Sequence, residues 1–306
     1  PSGSACGQVL ATNPESFARQ IVVDSPDGPV AHRYTDDPQA GAPYPNLLQQ
    51  GVTETFIELT HERHRRHVGG HFGDTIRFAF MDEPKTPITQ PGQLTWADDL
   101  GKVFRRRKGY AIEPFFAALL KKPSPTEPSE VTQARVDFHD IRSQLFVERF
   151  LVPIRRWCRR NGILSGGHFG GEDAPGGNAD YGYGHILRAL RALDLPGVDV
   201  IWRQLFPAQK GGVVYYDETA GRLRKTRGKL SRPFTKYASS VARQAGCPYV
   251  MSETFAVYGN GLTPAQMKWV TDHQLAHGAT LMILSNYSQS LRDHFMAGCR
   301  PHFGPV

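Results

Sequence analysis

The sequence has no run of about 18 apolar residues, so it carries no stretch long enough to cross a bilayer as a single helix. Cysteine is scarce. Its four residues (Cys6, Cys158, Cys247 and Cys299) stand far apart with no CxxC pair, which indicates neither a zinc site nor a disulfide framework. No GxGxxG opens a helix after a strand and no GxxxxGKS/T occurs, so dinucleotide and P-loop chemistries lose their main support. A charged-then-apolar leader is also missing, but the chain begins at Pro1 without a methionine.

Charge of one sign is in modest excess, +7 from 36 Lys and Arg against 29 Asp and Glu. The basic residues are scattered. Their densest runs are Arg105 to Lys108, the set Arg155, Arg156, Arg159 and Arg160, and Arg222 to Arg232, and none is interleaved with a nucleic-acid motif. These read as solvated faces, and no nucleic acid is expected as a partner. With 306 residues, 40% of them hydrophobic and 21% charged, the chain suits one globular domain. The 31 glycines and 23 prolines predict many loops.

What the chain does contain is a repeating order of helical stretch, short β-rich run, and glycine- or acid-rich loop. Five such runs stand out: Thr75–Met81, Ile163–Ser165, Gly197–Phe206, Pro248–Ser252 and Thr280–Leu284. Before the first, Leu48, Val52, Phe56 and Leu59 are spaced for one helical face. A long helix is predicted over Val131–Arg160, with Phe138, Ile141, Leu145 and Val152 on one stripe and a kink at Pro153. Further helices are predicted over Phe234–Ala245 and Pro264–His277, the latter capped by Thr263. Residues 21–45 read as an irregular excursion and 213–227 as a surface hairpin or loop. Apolar strands separated by amphipathic helices predict a parallel sheet buried on both faces, either a barrel or a doubly wound sheet.

In parallel α/β folds the working residues gather at the carboxyl ends of the strands, where loops converge on one rim. That filter selects Asp82 and Glu83 after the first strand, His168, Glu172 and Asp173 after the second, and Arg203 and Gln204 on the third. It adds Glu253 after the fourth, and Asn286 and Tyr287 after the fifth. Carboxylates at three strand ends suit an acid/base hydrolase, in which one group is held protonated while another stays ionised. Glu83, Glu172 and Glu253 lead. Asp82, adjoining Glu83, fits a supporting or substrate-contacting place. The aromatics Phe169, Trp202, Phe255, Tyr258 and Tyr287 fall near the same ends, as platforms for sugar rings would. Asp173, Asn178 and Asp180 offer hard oxygen ligands, so calcium is allowed, but their spacing is not that of an EF-hand, and nothing in the sequence requires a cofactor.

PSGSACGQVL, FIELTHERHRRHVGGHFGDTIRFAFMDEP, GGHFGGED, LPGVDVIWRQLFP and KYASSVARQAGCPYVMSETFAVYGNGLT, in this order from Pro1 to about Tyr287, resemble bacterial glycoside hydrolases of the α-L-rhamnosidase type, glycoside hydrolase family 106 and its uncharacterised relatives. The resemblance implies a (β/α)8 TIM-barrel catalytic domain, periplasmic or secreted breakdown of a carbohydrate, accessory β domains, and a calcium ion near the sugar. It implies Glu253 as a catalytic carboxylate and Glu172 as its counterpart, with acid and base left open. Only five strong strands can be read where a closed barrel needs eight, so the expectation is an incomplete barrel, its first strands and last strand outside this chain, completed by flanking segments of the same polypeptide. Two other classes compete: a non-catalytic carbohydrate-binding barrel, and a metal-dependent sugar isomerase or lyase.

Overall fold

The computed structural model describes residues 20–23, 30–33, 45–84, 86, 94–173, 183–207, 214–217, 222–225, 232–256, 258 and 262–285. In chain order these form strands β1 (Gln20–Val23) and β2 (Val30–Arg33), helices α1 (Val52–Phe56) and α2 (Glu62–Val68), strand β3 (Phe78–Met81), and helices α3 (Leu100–Lys108), α4 (Phe116–Leu119), α5 (Ser129–Phe146) and α6 (Val152–Arg160). There follow β4 (Leu164–Gly167), α7 (Ile186–Arg191), β5 (Leu195–Val200), β6 (Val214–Asp217), β7 (Arg222–Lys225), α8 (Lys236–Ala245), β8 (Met251–Thr254), α9 (Pro264–Ala276) and β9 (Leu281–Leu284). Two compact units result. One comprises Pro1–Phe72, Pro84–Trp157 and Ala179–Ala189, the other Gly73–Glu83, Cys158–Asn178 and Leu190–Val306.

The described residues of the first unit are mainly helical, with β1 and β2 pairing antiparallel from Gln20 to Arg33, largely within the stretch read as an irregular excursion. Phe104, Phe116, Phe138, Ile141, Leu145 and Phe146 are buried on α3, α4 and α5. At the rim of that core Lys108 bridges Asp137 at 2.7 Å and Asp140 at 2.6 Å, tying α3 to α5. One helical expectation needs correction here. Leu48 is buried, but it lies in the turn before α1, and Leu59 is 58% exposed, so the four-residue stripe does not form. A π-helical turn over Ile57–His61 separates α1 from α2 and rotates the later residues out of phase. The long helix expected over Val131–Arg160 is present, running without interruption through α5, a π turn at Val147–Leu151, where the N–H of Val152 reaches the carbonyl of Val147, and α6. Pro153 explains the position: it brings no N–H, and its ring crowds the carbonyl one turn back.

The second unit is built on a parallel sheet in the order β3-β4-β5-β8-β9, five strands of a (β/α) barrel. Close strand approach is what the glycines of β4 and β5 allow. A Cβ on Gly167 would lie 2.3 Å from the carbonyl oxygen of Met81, and one on Gly197 would lie 2.5 Å from that of Gly167. Strand alternation then sorts the side chains. Val198 and Val200 of β5 pack with Ala238 and Ala242 of α8, Val270 of α9, Phe234, Phe255 and Tyr258 in one apolar cluster. On β8, Ser252 and Thr254 point to α9, where the buried Gln274 carbonyl oxygen accepts from both hydroxyls, at 3.0 Å from Thr254. The Gln274 amide donates back to the carbonyl of Val270 at 3.2 Å. Glu253, between those two hydroxyls, takes the opposite face, side by side with Asp199 of β5. Thr263 and Gln266 form a reciprocal capping box at the start of α9, as the sequence suggested for Thr263. A second antiparallel pair, β6 and β7, lies within 213–227.

The third strand ends earlier than its composition suggests. β5 stops at Val200, and Ile201–Phe206 turns away through left-handed backbone at Trp202 (φ 56) and Arg203 (φ 55). The Gln204 side chain closes this turn by accepting from the Ile201 N–H at 2.9 Å.

Candidate active site

The carboxyl ends of β3, β4, β5 and β8 bring together Asp82, Glu83, His168, Glu172, Asp199 and Glu253. Three of these ends carry non-glycine residues at positive φ: Glu83 (42°), Trp202 and Arg203, and Phe255 (81°). Such backbone costs about 1–3 kcal/mol per residue and persists where the surroundings over-determine it, commonly at functional sites.

His168 is the hub. Its ring is 1% exposed, and Nε2 meets a Glu253 carboxylate oxygen at 2.7 Å and lies 3.7 Å from Asp82. Burial alone would push this imidazole down, but the hydrogen bond to Glu253, with the carboxyls of Asp199 and Glu172 nearby, lifts it to about 9. The same hydrogen bond holds Glu253 below the usual carboxylate range despite partial burial, with Ser285 assisting. Glu253 keeps 17% of its side chain in solvent and Asp82 keeps 71%, so the open side of the cluster lies there. The half-exposed ring of Phe80 stands edge-on to His168 at 5.4 Å.

Glu172 differs in every respect. It is fully enclosed, one oxygen accepting from the backbone N–H of Phe169 at 3.0 Å and of Gly170 at 3.1 Å, and burial raises it above the ordinary value. Glu83 lies against the same loop: a Cβ on Gly170 would stand 2.1 Å from a Glu83 carboxylate oxygen, so only glycine leaves that carboxylate its place. Asp199, which the sequence filter passed over, is also buried, and desolvation holds it well above the carboxylate range. Its signal was a lone acid inside the apolar run GVDVIW, in register with Glu253.

The other expected site residues are placed differently. Trp202 is 37% exposed at the end of β5 and can offer a ring face. Arg203 donates to the Tyr258 carbonyl at 2.6 Å and lies over the Phe206 ring, while Gln204 is spent on its turn. Tyr258 is a core residue, its hydroxyl donating to the Leu205 carbonyl at 2.9 Å. Phe169 and Phe255 are buried too. Asn178, Asp180, Asn286 and Tyr287 lie outside the described residues, and Asp173 is buried. A cavity of about 570 Å³ lies elsewhere, beside the N-terminal ends of β8 and β9, and its lining, which includes Lys236, Ser239, Arg243 and His277, holds no acid.

Two groups of side chains could hold a metal ion among the described residues: Asp82, His168 and Glu253, and Glu83, His168 and Asp199, with donor atoms in each group within 4.8 Å of one another. Both include an imidazole nitrogen, so neither is the all-oxygen shell that calcium takes.

Parallel strands delivering carboxylates to one rim define an α/β-barrel scaffold of the kind that carries enzyme sites. Among solved structures the chain is similar to the rhamnosidase from Novosphingobium sp. PP1Y, with a TM-score of 0.59 at 15% identity over 80% of this chain and 21% of that one. The chain thus spans about a fifth of that rhamnosidase, and the likeness is one of fold. No known family model and no curated protein matches the sequence.

Proposed function

We propose that the chain supplies the acid/base centre of a glycosidase, with an α-L-rhamnoside as the first substrate to test. The observation that carries this reading is the opposite pull on two strand-end carboxyls of one sheet: the hydrogen bond to His168 holds Glu253 below the usual carboxylate range, while burial raises Glu172 above it. Environments that separate two carboxyls in this way assign the base and the acid of glycoside hydrolysis. Glu253, at the open side, acts as base or nucleophile. Glu172 acts as acid, through the carboxyl oxygen that the Phe169 and Gly170 N–H groups leave unengaged. Phe80 and Trp202 offer half-exposed aromatic faces for the sugar. By analogy with the resembled enzymes the activity belongs outside the cytoplasm.

The test is a screen with nitrophenyl glycosides, the α-L-rhamnoside among them, and with oligosaccharides. Glu253→Gln is expected to lower turnover by about 10²–10⁴-fold with the unfolding temperature unchanged. Near-normal turnover in that variant would remove Glu253 from the mechanism. Sugar binding without turnover in the parent protein would favour a carbohydrate-binding barrel instead.

A further inference from the structure

We propose that the cavity of about 570 Å³ beside the N-terminal ends of β8 and β9 binds a phosphorylated small molecule of sugar size. Three basic side chains line it from two helices: Lys236 and Arg243 from α8, and His277 just after α9. The lining holds no acid, and neither Lys236 nor Arg243 has an ion-pair partner among the described residues. Seven residues apart, they share one face of α8 about 10 Å apart along its axis, so their long side chains can converge on a point between them. Lys236 is also placed against the helix dipole. It stands in a first turn that has no acid, where a cation is disfavoured and a bound anion would be stabilised.

A surface lysine or arginine alone is simply solvated; what distinguishes this pair is the floor built between them. The Ser239 hydroxyl, midway along that face, donates to the His277 carbonyl at 2.7 Å, and Gly278 comes so close that a Cβ there would lie 2.8 Å from that of Ser239. The His277 ring is fixed in turn: its Nδ1 donates to the His273 carbonyl at 2.7 Å, which leaves Nε2 uncommitted. The carbonyls of His273, Gln274 and Leu275 are met by the N–H groups of His277, Gly278 and Ala279, so the basic side chains are not consumed in capping α9. Ser240 accepts from the Gln244 amide at 3.4 Å and keeps its own proton to donate. A guanidinium fork, an ammonium and a hydroxyl donor together are a set that recognises phosphate. One phosphate group does not fill a cavity of this volume, and Ala242, Val250 and Leu275 give the organic part an apolar wall. The carboxylate cluster lies at the opposite ends of the strands, so this site stands whether or not the chain cleaves glycosides.

The whole chain is titrated by calorimetry and thermal unfolding with a hexose monophosphate, the same hexose without phosphate, and inorganic phosphate, all at constant ionic strength. One equivalent of the hexose monophosphate is expected to bind and raise the unfolding temperature, with inorganic phosphate weaker and the bare hexose without effect. The double variant Lys236→Gln, Arg243→Gln is expected to unfold at the parent's temperature when free and to bind about tenfold or more weakly, the scale of a lost hydrogen bond to a charged group. Glu253→Gln is expected to bind the phosphate as the parent does. Absence of binding, binding no tighter than that of the bare hexose, or a double variant that binds as the parent does would overturn the proposal. So would loss of binding in Glu253→Gln, which would put the ligand at the carboxyl ends of the strands instead.

Discussion

Replacing Glu172 in two ways separates its part in the fold from its part in chemistry. In Glu172→Ala the backbone N–H groups of Phe169 and Gly170 lose the oxygen that now accepts from them at 3.0 and 3.1 Å. A buried donor left without its acceptor costs about 1–3 kcal/mol, so the pair should cost roughly 2–6 kcal/mol. Glu172→Gln keeps a carbonyl oxygen for both donors and should cost under about 1 kcal/mol. The pH dependence has a definite sign. Burial raises this carboxyl above its ordinary value of 4.5, so its contribution to stability is present below about that pH and lost as pH rises through the folded-state value. Glutamine does not titrate, so Glu172→Gln should gain on the parent protein as pH rises. Urea unfolding from pH 4 to 8 in chelating buffer measures all three proteins. If the alanine variant matches the parent within about 0.5 kcal/mol, Glu172 does not brace this loop, and if the glutamine variant loses ground with rising pH, burial does not raise its carboxyl. On the proposed glycosidase reading, Glu172→Gln should also lower turnover by about 10²–10⁴-fold, because a carboxamide keeps the acceptor and has no acidic proton to give.

Two more predictions follow from packing and charge. Gly197→Ala places a methyl 2.5 Å from a backbone oxygen of β4, which cannot swing aside, and should destabilise the protein by about 3 kcal/mol or prevent folding, read from the denaturant midpoint. Lys108→Ala removes the ammonium between Asp137 and Asp140, which keep Tyr110, Gln133 and Arg188 as partners, and should cost about 1–3 kcal/mol near neutral pH. Although burial opposes it, the Lys108 hydrogen bonds hold both carboxyls below their ordinary values, so the difference should shrink as pH falls through the acid range, which parallel unfolding curves would show.

The sheet was legible where strands are made of bulky apolar residues. FAFM and LMIL could be read directly, and the rim filter then found Glu83, His168, Glu172 and Glu253. The reading stopped short where a strand is made of glycine. β4 is LSGG, read only as Ile163–Ser165, because Gly166 and Gly167 look like loop until the crowding against Leu195 and Met81 is known. It ran too far where apolar composition continues past a turn, since nothing local in IWRQLF announces left-handed Trp202 and Arg203. Asp199 was missed because a single acid in an apolar run gives no pattern, and its meaning comes from a neighbour 54 residues on in the sheet register. Tyr258 was taken for a sugar contact because aromatic residues near a strand end look alike in sequence, whether they face the rim or the core. The phase change at Ile57–His61 is a π turn, for which the sequence offers no residue-level cue.

The hydroxyls of Ser252 and Thr254 on Gln274 act as a reading-frame check on β8. Because side chains alternate, sliding the strand by one residue would drive Glu253 against α9 and present two hydroxyls at the mouth. That slip would strand the Gln274 amide oxygen in the interior facing a carboxylate, a penalty that apolar residues at 252 and 254 would not impose. A strand of only four residues, MSET, thereby acquires a unique registration that its own apolar content is too small to enforce. Swapping both hydroxyls for valine would leave the interior packed yet ambiguous. The loss would then show as heterogeneity in where Glu253 points, visible as doubled resonances for that strand, before it showed as any fall in melting temperature.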